Sequence, residues 1–323
     1  MSRTDLSIAE RATFERPSFE RIDEVAFSDF ELGGDYQKIT RPLLVKGAVK
    51  HWSAWHNWSF ENLAKICDAK TSLVVARFQT GLTEQGTTRP ALHQPVAPYL
   101  RSLDAAAHQQ SSSDKTLLPL DQLRSIKSGE RFQLDWSRLQ FEPNRTYLQQ
   151  WDMLAALPEL RKDFPMRRLW PGARLTWEYV FIGPANTLSG LHFDFPNNWF
   201  CQVRGTKEFI LFTNDQSEYL SESKKYDWGA TLSGVDIARL DQQPEIAARF
   251  GKAKGIYARV EAGDALYIPS RTWHAVVSLT PSISIGIFGL KPLEIVLGGG
   301  KATVKDYLHK AHLYRWGNCT CHA

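Results

Sequence analysis

His192 and Asp194 stand two apart in the strand-like run Leu188–Asp194, and far downstream His274 opens a second run of the same kind. Alternate side chains of an extended strand share a face, so His192 and Asp194 point one way while Leu191, Phe193 and Phe195 point the other. Two imidazoles and one carboxylate on one side of a divalent cation leave the opposite positions open. That donor set suits a non-haem Fe(II) centre on which a co-substrate and O2 bind together. A His-x-Asp pair alone is weak, because common residues meet at this spacing by chance. Its weight comes from Asn198, Lys207 and the segment Gly263-Asp264, Leu266-Tyr267-Ile268-Pro269, Trp273-His274, which sit where a jelly roll brings strands together. The other histidines singled out, His51, His56, His93, His108, His309 and His312, read as surface or internally satisfied groups.

Lys207 follows the turn Arg204-Gly205-Thr206 and opens the apolar run Phe209-Ile210-Leu211-Phe212. A lysine entering such a strand is rarely buried without an anionic partner. Two readings stand. Its ammonium receives one carboxylate of a dicarboxylate co-substrate, or it ends a strand and points into solvent. Beside an iron site the first is preferred.

A third ligand from a strand distant in sequence needs a scaffold that brings the two strands side by side. Beyond Arg174 the period is that of strands, in Leu175–Ile182, Leu188–Asp194, Trp199–Val203, Lys207–Phe212, Ala265–Ile268, His274–Leu279 and Ile283–Phe288. Many short strands punctuated by Gly, Pro and Asn predict a mainly β fold with flanking helices, a jelly roll or double-stranded β-helix of the cupin kind. We place the catalytic core at 141–290, an N-terminal strand and helix extension at 1–140, and a helical tail at 291–323. Within the extension, Pro42–Val45 and Thr71–Phe78 read as strands, and Ser59 caps a helix over Phe60–Cys67. Leu120–Ile126 reads as a short helix. The stretch 79–114 changes to Gly, Thr, Gln, Pro and Ser and reads as a long surface insertion with a short helix near Tyr99–Ala107.

Composition narrows the function. The chain has 323 residues, ample for a sizeable core, with 43% hydrophobic and 23% charged residues, which excludes wholesale disorder. The net charge of +4 is concentrated in the tail, at Lys291, Lys301, Lys305, Lys310 and Arg315, so no basic stripe predicts nucleic-acid binding. No apolar run predicts a membrane span, and the charged N-terminus does not read as a signal peptide. A cytoplasmic protein without disulfides is expected, with Cys67 and Cys201 as small buried hydrophobes. Cys319-Thr320-Cys321-His322 could hold a soft metal but reads better as a frayed chain end.

These residues resemble the JmjC-type or cupin-like Fe(II)/2-oxoglutarate-dependent oxygenases, and among them the asparaginyl hydroxylase that inhibits hypoxia-inducible factor. The resemblance covers about 140 to 290. It rests on Tyr147-Leu148-Gln149-Gln150, His192-x-Asp194-x-x-x-Asn198-x-Phe200-x-Gln202, Gly205-x-Lys207 with Ile210-Leu211-Phe212, and Gly263-Asp264 through Trp273-His274. More loosely it includes Pro42–Gly47 and the tryptophans that follow. It implies that His192, Asp194 and His274 bind Fe(II), and that Lys207 and Tyr147 hold the distal carboxylate of 2-oxoglutarate. Ser189 stands where the family often has Thr, and Asn198 near the metal-bound end of the co-substrate. Gln149, Gln202 and Trp273 are implied on the substrate side, and the helix near 302–314 as a homodimer element. Gly286 departs from that hydroxylase, which has Asn in the strand after the last His.

The resemblance further implies hydroxylation of a side chain in a protein or peptide, with O2 consumed and 2-oxoglutarate decarboxylated to succinate. A hydroxylase of a small natural product, or an N-methyl-lysine demethylase, would use the same iron core. A metal-binding cupin without turnover is the rival from another class.

Overall fold

The computed structural model describes residues 15–30, 39–80, 91–109, 116–140, 142, 146–165, 175–227, 229–296 and 300–319. Among these the strands are β1 (Ser18–Arg21), β2 (Asp23–Ala26), β3 (Leu43–Lys46), β4 (Val75–Thr80), β5 (Ala91–Pro95), β6 (Arg131–Gln133), β7 (Thr146–Trp151) and β8 (Leu175–Gly183). They continue as β9 (Leu188–Asp194), β10 (Asn197–Arg204), β11 (Thr206–Phe212), β12 (Ala230–Leu232), β13 (Lys254–Glu261), β14 (Ala265–Ile268), β15 (Trp273–Ser278) and β16 (Ser282–Leu290). They form two sheets, in the orders β12-β9-β15-β11-β13-β1-β6 and β2-β3-β14-β10-β16-β8-β7-β4-β5. This is the expected cupin-like jelly roll.

Strand alternation divides the apolar residues among three cores. One lies between the sheets: Phe181, Phe200, Leu266 and Phe288 from the larger sheet meet Phe209, Leu211, Ala258 and Val276 from the smaller. The alternate residues of the larger sheet, Trp199, Cys201, Tyr267 and Ile285, pack outward under helices. Those of the smaller sheet, Ile210, Phe212, Tyr257, Trp273 and Ala275, pack outward on the other side. The space between the sheets is therefore the only one of these three layers walled by strands on both sides, and it holds the candidate site.

Residues before 141 join the same two sheets. β3 pairs antiparallel with β14, and β1 lies parallel to β13. The buried Asp264 ties this junction. Its carboxylate accepts from Gly47 N at 3.0 Å and Glu261 N at 3.2 Å, and pairs with the Lys46 ammonium.

The fold differs from the sequence reading in two stretches. Where 79–114 reads as a surface insertion, β5 pairs with β4, and the helix Val96–Gln109 buries Val96, Ala97, Leu100 and Leu103 against Leu63, Ala64 and Cys67 of the helix Phe60–Asp68. The expected short helix near Tyr99–Ala107 is present and longer, starting before Pro98, which sits in the first turn, where a missing N–H costs nothing. Residues 81–90 and 110–114 of the same stretch lie outside the described residues. β13, which the sequence reading omits, joins β11 to β1; Lys254, Gly255, Arg259 and Glu261 break up its apolar run. No described helix is long and apolar enough to cross a membrane.

Candidate metal centre

β15 runs antiparallel to β9 with His274 directly opposite His192. The two rings lie 4.2 Å apart between centroids, and His274 Nε2 is 3.8 Å from Asp194 Oδ2. One ligand atom from each of His192, Asp194 and His274 falls within 4.8 Å of the others. Both imidazoles are oriented by the backbone: His192 Nδ1 lies 2.7 Å from Gly190 O and His274 Nδ1 2.9 Å from Thr272 O. A carbonyl can only accept, so each Nδ1 carries the proton and each Nε2 keeps its lone pair for a cation.

The charge state also fits a cation. Burial, helped by the nearby His192, pushes the His274 pKa down to about 3 against a weaker opposing effect of its bond to Thr272, so the ring is neutral and able to coordinate. Burial pushes the Asp194 carboxyl above its usual range; His192 opposes this and Asp227 adds to it. A divalent ion would supply the positive charge that this carboxylate lacks.

A bulge in β9 completes the arrangement. The register runs His274↔His192 but Val276↔Ser189, so one extra residue is accommodated on β9 between them. Plain alternation would put Gly190 on the face of His192. The bulge puts Ser189 there instead, beside Val276 of the inter-sheet core, and turns Leu188 outward, to the side that Leu191 takes by alternation.

Farther along the interior from the triad lies Lys207. Along β11, Leu211 faces His274, Phe209 faces Val276 and Lys207 faces Ser278, which roots Lys207 about 13 Å down the strand from the His274 level at ~3.3 Å per residue. Lys207 is 1% exposed, and its Nζ donates to Tyr147 Oη at 3.1 Å and lies 5.2 Å from the Phe200 ring centroid. Among the described residues no carboxylate pairs with it. Burial lowers its pKa to about 7 and raises that of the Tyr147 phenol. The Tyr147 ring fits because position 183 is glycine: a Cβ there would stand 2.2 Å from Tyr147 Cδ2. Asn198 is buried on the interior face of β10, and its Oδ1 has no hydrogen-bond partner. Gln149 is half-buried on the Tyr147 face of β7, and among the described residues its amide makes no hydrogen bond. The donor set, the unpaired ammonium and the orphaned amide together fit a metal ion with a dicarboxylate beside it.

Two expected substrate contacts are elsewhere. Trp273 is fully buried on the outer side of its sheet, edge-on to Phe193, with its indole N–H donating to Ser217 Oγ at 2.9 Å. It neighbours His274 in sequence, and for that reason alternation turns it away from the site. Gln202 shares the interior face of β10 but is fully buried at the opposite end, where its Nε2 donates to Arg204 O at 2.6 Å and its Oε1 accepts from Ser284 Oγ at 2.9 Å. Both polar atoms of its amide are thus engaged by the protein, away from the triad. Cys319 is not frayed: it is buried and bridges to Tyr226, while Cys321 and His322 lie outside the described residues. At Gly286 an added Cβ would meet the Phe181 and Phe288 rings at 3.0 and 3.1 Å, so aromatic surface fills that part of the pocket. Sequence reasoning missed Gly183, whose signal is a small residue opposite Tyr147, and the short strand β12 beside the ligands.

Two sheets enclosing this convergent His-Asp-His set define a jelly roll with a metal-centre arrangement on its inner face. A family profile described as a cupin-like domain matches residues 29–288, and the chain belongs to the JmjC-type cupin-like family. Jumonji C domain-containing protein 5 of Drosophila melanogaster is 27% identical over 274 residues, which is 83% of this chain and 57% of that protein. Lysine-specific demethylase 8 of Xenopus tropicalis is 21% identical over 256 residues, 77% of this chain and 48% of that protein. tRNA wybutosine-synthesizing protein 5 of Mus musculus is 34% identical over 99 residues, 30% of this chain and 29% of that protein. The chain thus spans about half the length of the first two relatives and less of the third.

Proposed function

We propose that the protein is an Fe(II)- and 2-oxoglutarate-dependent dioxygenase that hydroxylates an amino-acid side chain in a protein or peptide. The observation that carries this reading is the buried ammonium of Lys207, without a carboxylate partner among the described residues, beneath a triad of metal-ligand character. A buried, unpaired cation is costly, and a dianionic co-substrate removes that cost. When bound, iron supplies the activation of O2 that is coupled to decarboxylation of 2-oxoglutarate to succinate.

The side chains then divide the work. His192, Asp194 and His274 hold the metal, each imidazole fixed by its backbone carbonyl. Lys207 and the Tyr147 hydroxyl take the distal carboxylate, with Ser189 on the same face. Asn198 stands at the metal-bound end, where turning its amide over presents N–H in place of the orphaned Oδ1. Phe181, Phe200, Phe209 and Phe288 wall the interior and keep water from it. Gln149 is left to meet substrate. A cytoplasmic setting agrees with the buried thiols of Cys67 and Cys201. We extend the proposal to a homodimer through the helix Gly300–Lys310, whose Val304 and Tyr307 are exposed along with Leu293, Val296 and Leu313; a sedimentation coefficient independent of concentration and fitting a monomer would reject it.

A relative named as a lysine-specific demethylase favours a second reading, N-methyl-lysine demethylation by the same core. Incubating the protein with Fe(II), 2-oxoglutarate and paired methylated and unmethylated peptide libraries separates the two by mass. Oxygen gained on unmethylated peptides supports hydroxylation, and methyl loss from the methylated set supports demethylation. Metal binding without succinate release in either set returns the protein to the non-catalytic cupins.

A further inference from the structure

β12 is an edge strand of three residues, yet it pairs with the ligand-bearing end of β9: Leu232 faces His192, Thr231 faces Phe193 and Ala230 faces Asp194. Phe195 N adds a bond to Gly229 O at 3.1 Å. A strand this short has little hold of its own. It belongs to a hairpin closed by Ser223 N to Leu232 O and Gly234 N to Ser221 O, both 2.7 Å, with Tyr226 in its loop.

The far end of the described chain grips that loop at Tyr226. The Tyr226 N–H donates to Asn318 O at 2.9 Å, and residue 226 bridges to Cys319. Its ring lies 4.2 Å from the His309 ring and edge-on to Tyr314 at 5.8 Å, and its hydroxyl donates to Asp306 at 3.1 Å. Tyr226, His309 and Cys319 are 8%, 2% and 5% exposed, so the contact is a small core of its own. His309 in turn is fixed by Tyr314 O, 2.7 Å from its Nδ1. This packing is local, on a helix whose Val304 and Tyr307 face solvent.

We propose that residues 300–319 act as a clasp on the metal centre, with Tyr226 as a positioning residue: the tail holds residues 221–227, these pair with β12 and its end through Ser223 and Ser221, and β12 holds the edge of β9 that carries His192 and Asp194. This rests on the triad being the metal site. The clasp sets metal affinity without contributing a ligand, as an outer layer does when it orients ligand-bearing backbone. It also gives the tail a role that does not depend on dimer formation.

The test measures anaerobic Co(II) binding by the full-length protein through its visible d–d bands, with hydrogen exchange over 192–194 and 230–232 in parallel. Tyr226→Ala should bind Co(II) on the order of 10-fold more weakly, the scale seen for outer-shell changes, with altered band intensity and faster exchange in β12. Tyr226→Phe keeps the stacking and should stay within about twofold of the unaltered protein. Should Tyr226→Ala fail to fold, His309→Ala opens the same contact from the helix side and is expected to weaken Co(II) binding likewise. Faster exchange over 300–319 with unchanged Co(II) affinity and spectrum, in whichever of these two variants folds, would overturn the clasp. Absence of Co(II) binding by the unaltered protein would instead overturn the metal-site reading beneath it.

Discussion

The two ends of the space between the sheets both carry a buried amide on the same face of β10, and their fates differ. At the triad end, Asn198 keeps an oxygen with no partner; at the other, Gln202 has its donor and its acceptor occupied by Arg204 O and Ser284. Folding normally pairs buried polar groups, because an unmade bond costs about 1–3 kcal/mol. Of these two amides Asn198 is therefore the one with capacity left for a ligand, while Gln202 is tied into the structure, although Ser282 Oγ at the Gln202 end also lacks a partner. Lys207, deep and lacking an anion, belongs with Asn198 in that respect, although it lies between the two ends.

The comparison is sharpened most by removing the triad. Asp194→Ala and His192→Ala should each abolish tight Fe(II) binding and succinate formation, read by anaerobic titration and by coupled assay, with the fold intact by circular dichroism. Next in size, Lys207→Ala should weaken the apparent 2-oxoglutarate affinity on the order of 100-fold, the scale of a charge-assisted hydrogen bond, while metal binding survives. An unchanged affinity removes Lys207 from the co-substrate site.

A pH series follows from the same lysine. With its pKa lowered to about 7 by burial, Lys207 is charged below that pH and neutral above it in the ligand-free protein. A dicarboxylate needs the charged form, so 2-oxoglutarate affinity should be flat below pH 7 and fall about tenfold per unit above it, until the pKa of the complex is reached. Lys207→Met should flatten the profile. Stability of the ligand-free protein moves the other way: the unfolded chain binds the extra proton from pH 7 up to the ordinary lysine range, so the burial penalty is full below 7 and fades as pH rises through that window.

The smallest effects break the comparison most cleanly. Asn198→Ala should leave unfolding free energy unchanged or slightly raised and weaken 2-oxoglutarate binding by about tenfold, since one hydrogen bond to a charged group is at stake. Gln202→Ala should do the reverse, lowering stability by about 1–3 kcal/mol in urea titration with unaltered kinetic constants, because it strands Ser284 and the Arg204 carbonyl.

Much of this site is legible in the sequence because strand period carries it. His192, Asp194, Lys207 and Asn198 fall on interior faces where alternation predicts, and His274 falls opposite His192. The failures are also failures of period. Trp273 is drawn to the substrate side in the sequence because it adjoins His274, and adjacency in a strand means opposite faces. Ser189 reaches the site through a bulge, which no alternation rule places, so only its resemblance to a family position pointed there. Gln202 differs: it shares the interior face, and only the partners supplied by Ser284 and Arg204, distant or bent round by the strand end, show that its amide is held by the protein. Tyr226 has no local signal at all, since its partners come from residues 306–319.

The most direct measurement is a crystal structure grown anaerobically with Mn(II) and 2-oxoglutarate. The account predicts one metal ion bound by His192 Nε2, Asp194 and His274 Nε2, with the distal carboxylate of the co-substrate on Lys207 and Tyr147. A metal bound elsewhere, or a co-substrate whose carboxylate avoids Lys207, would contradict it.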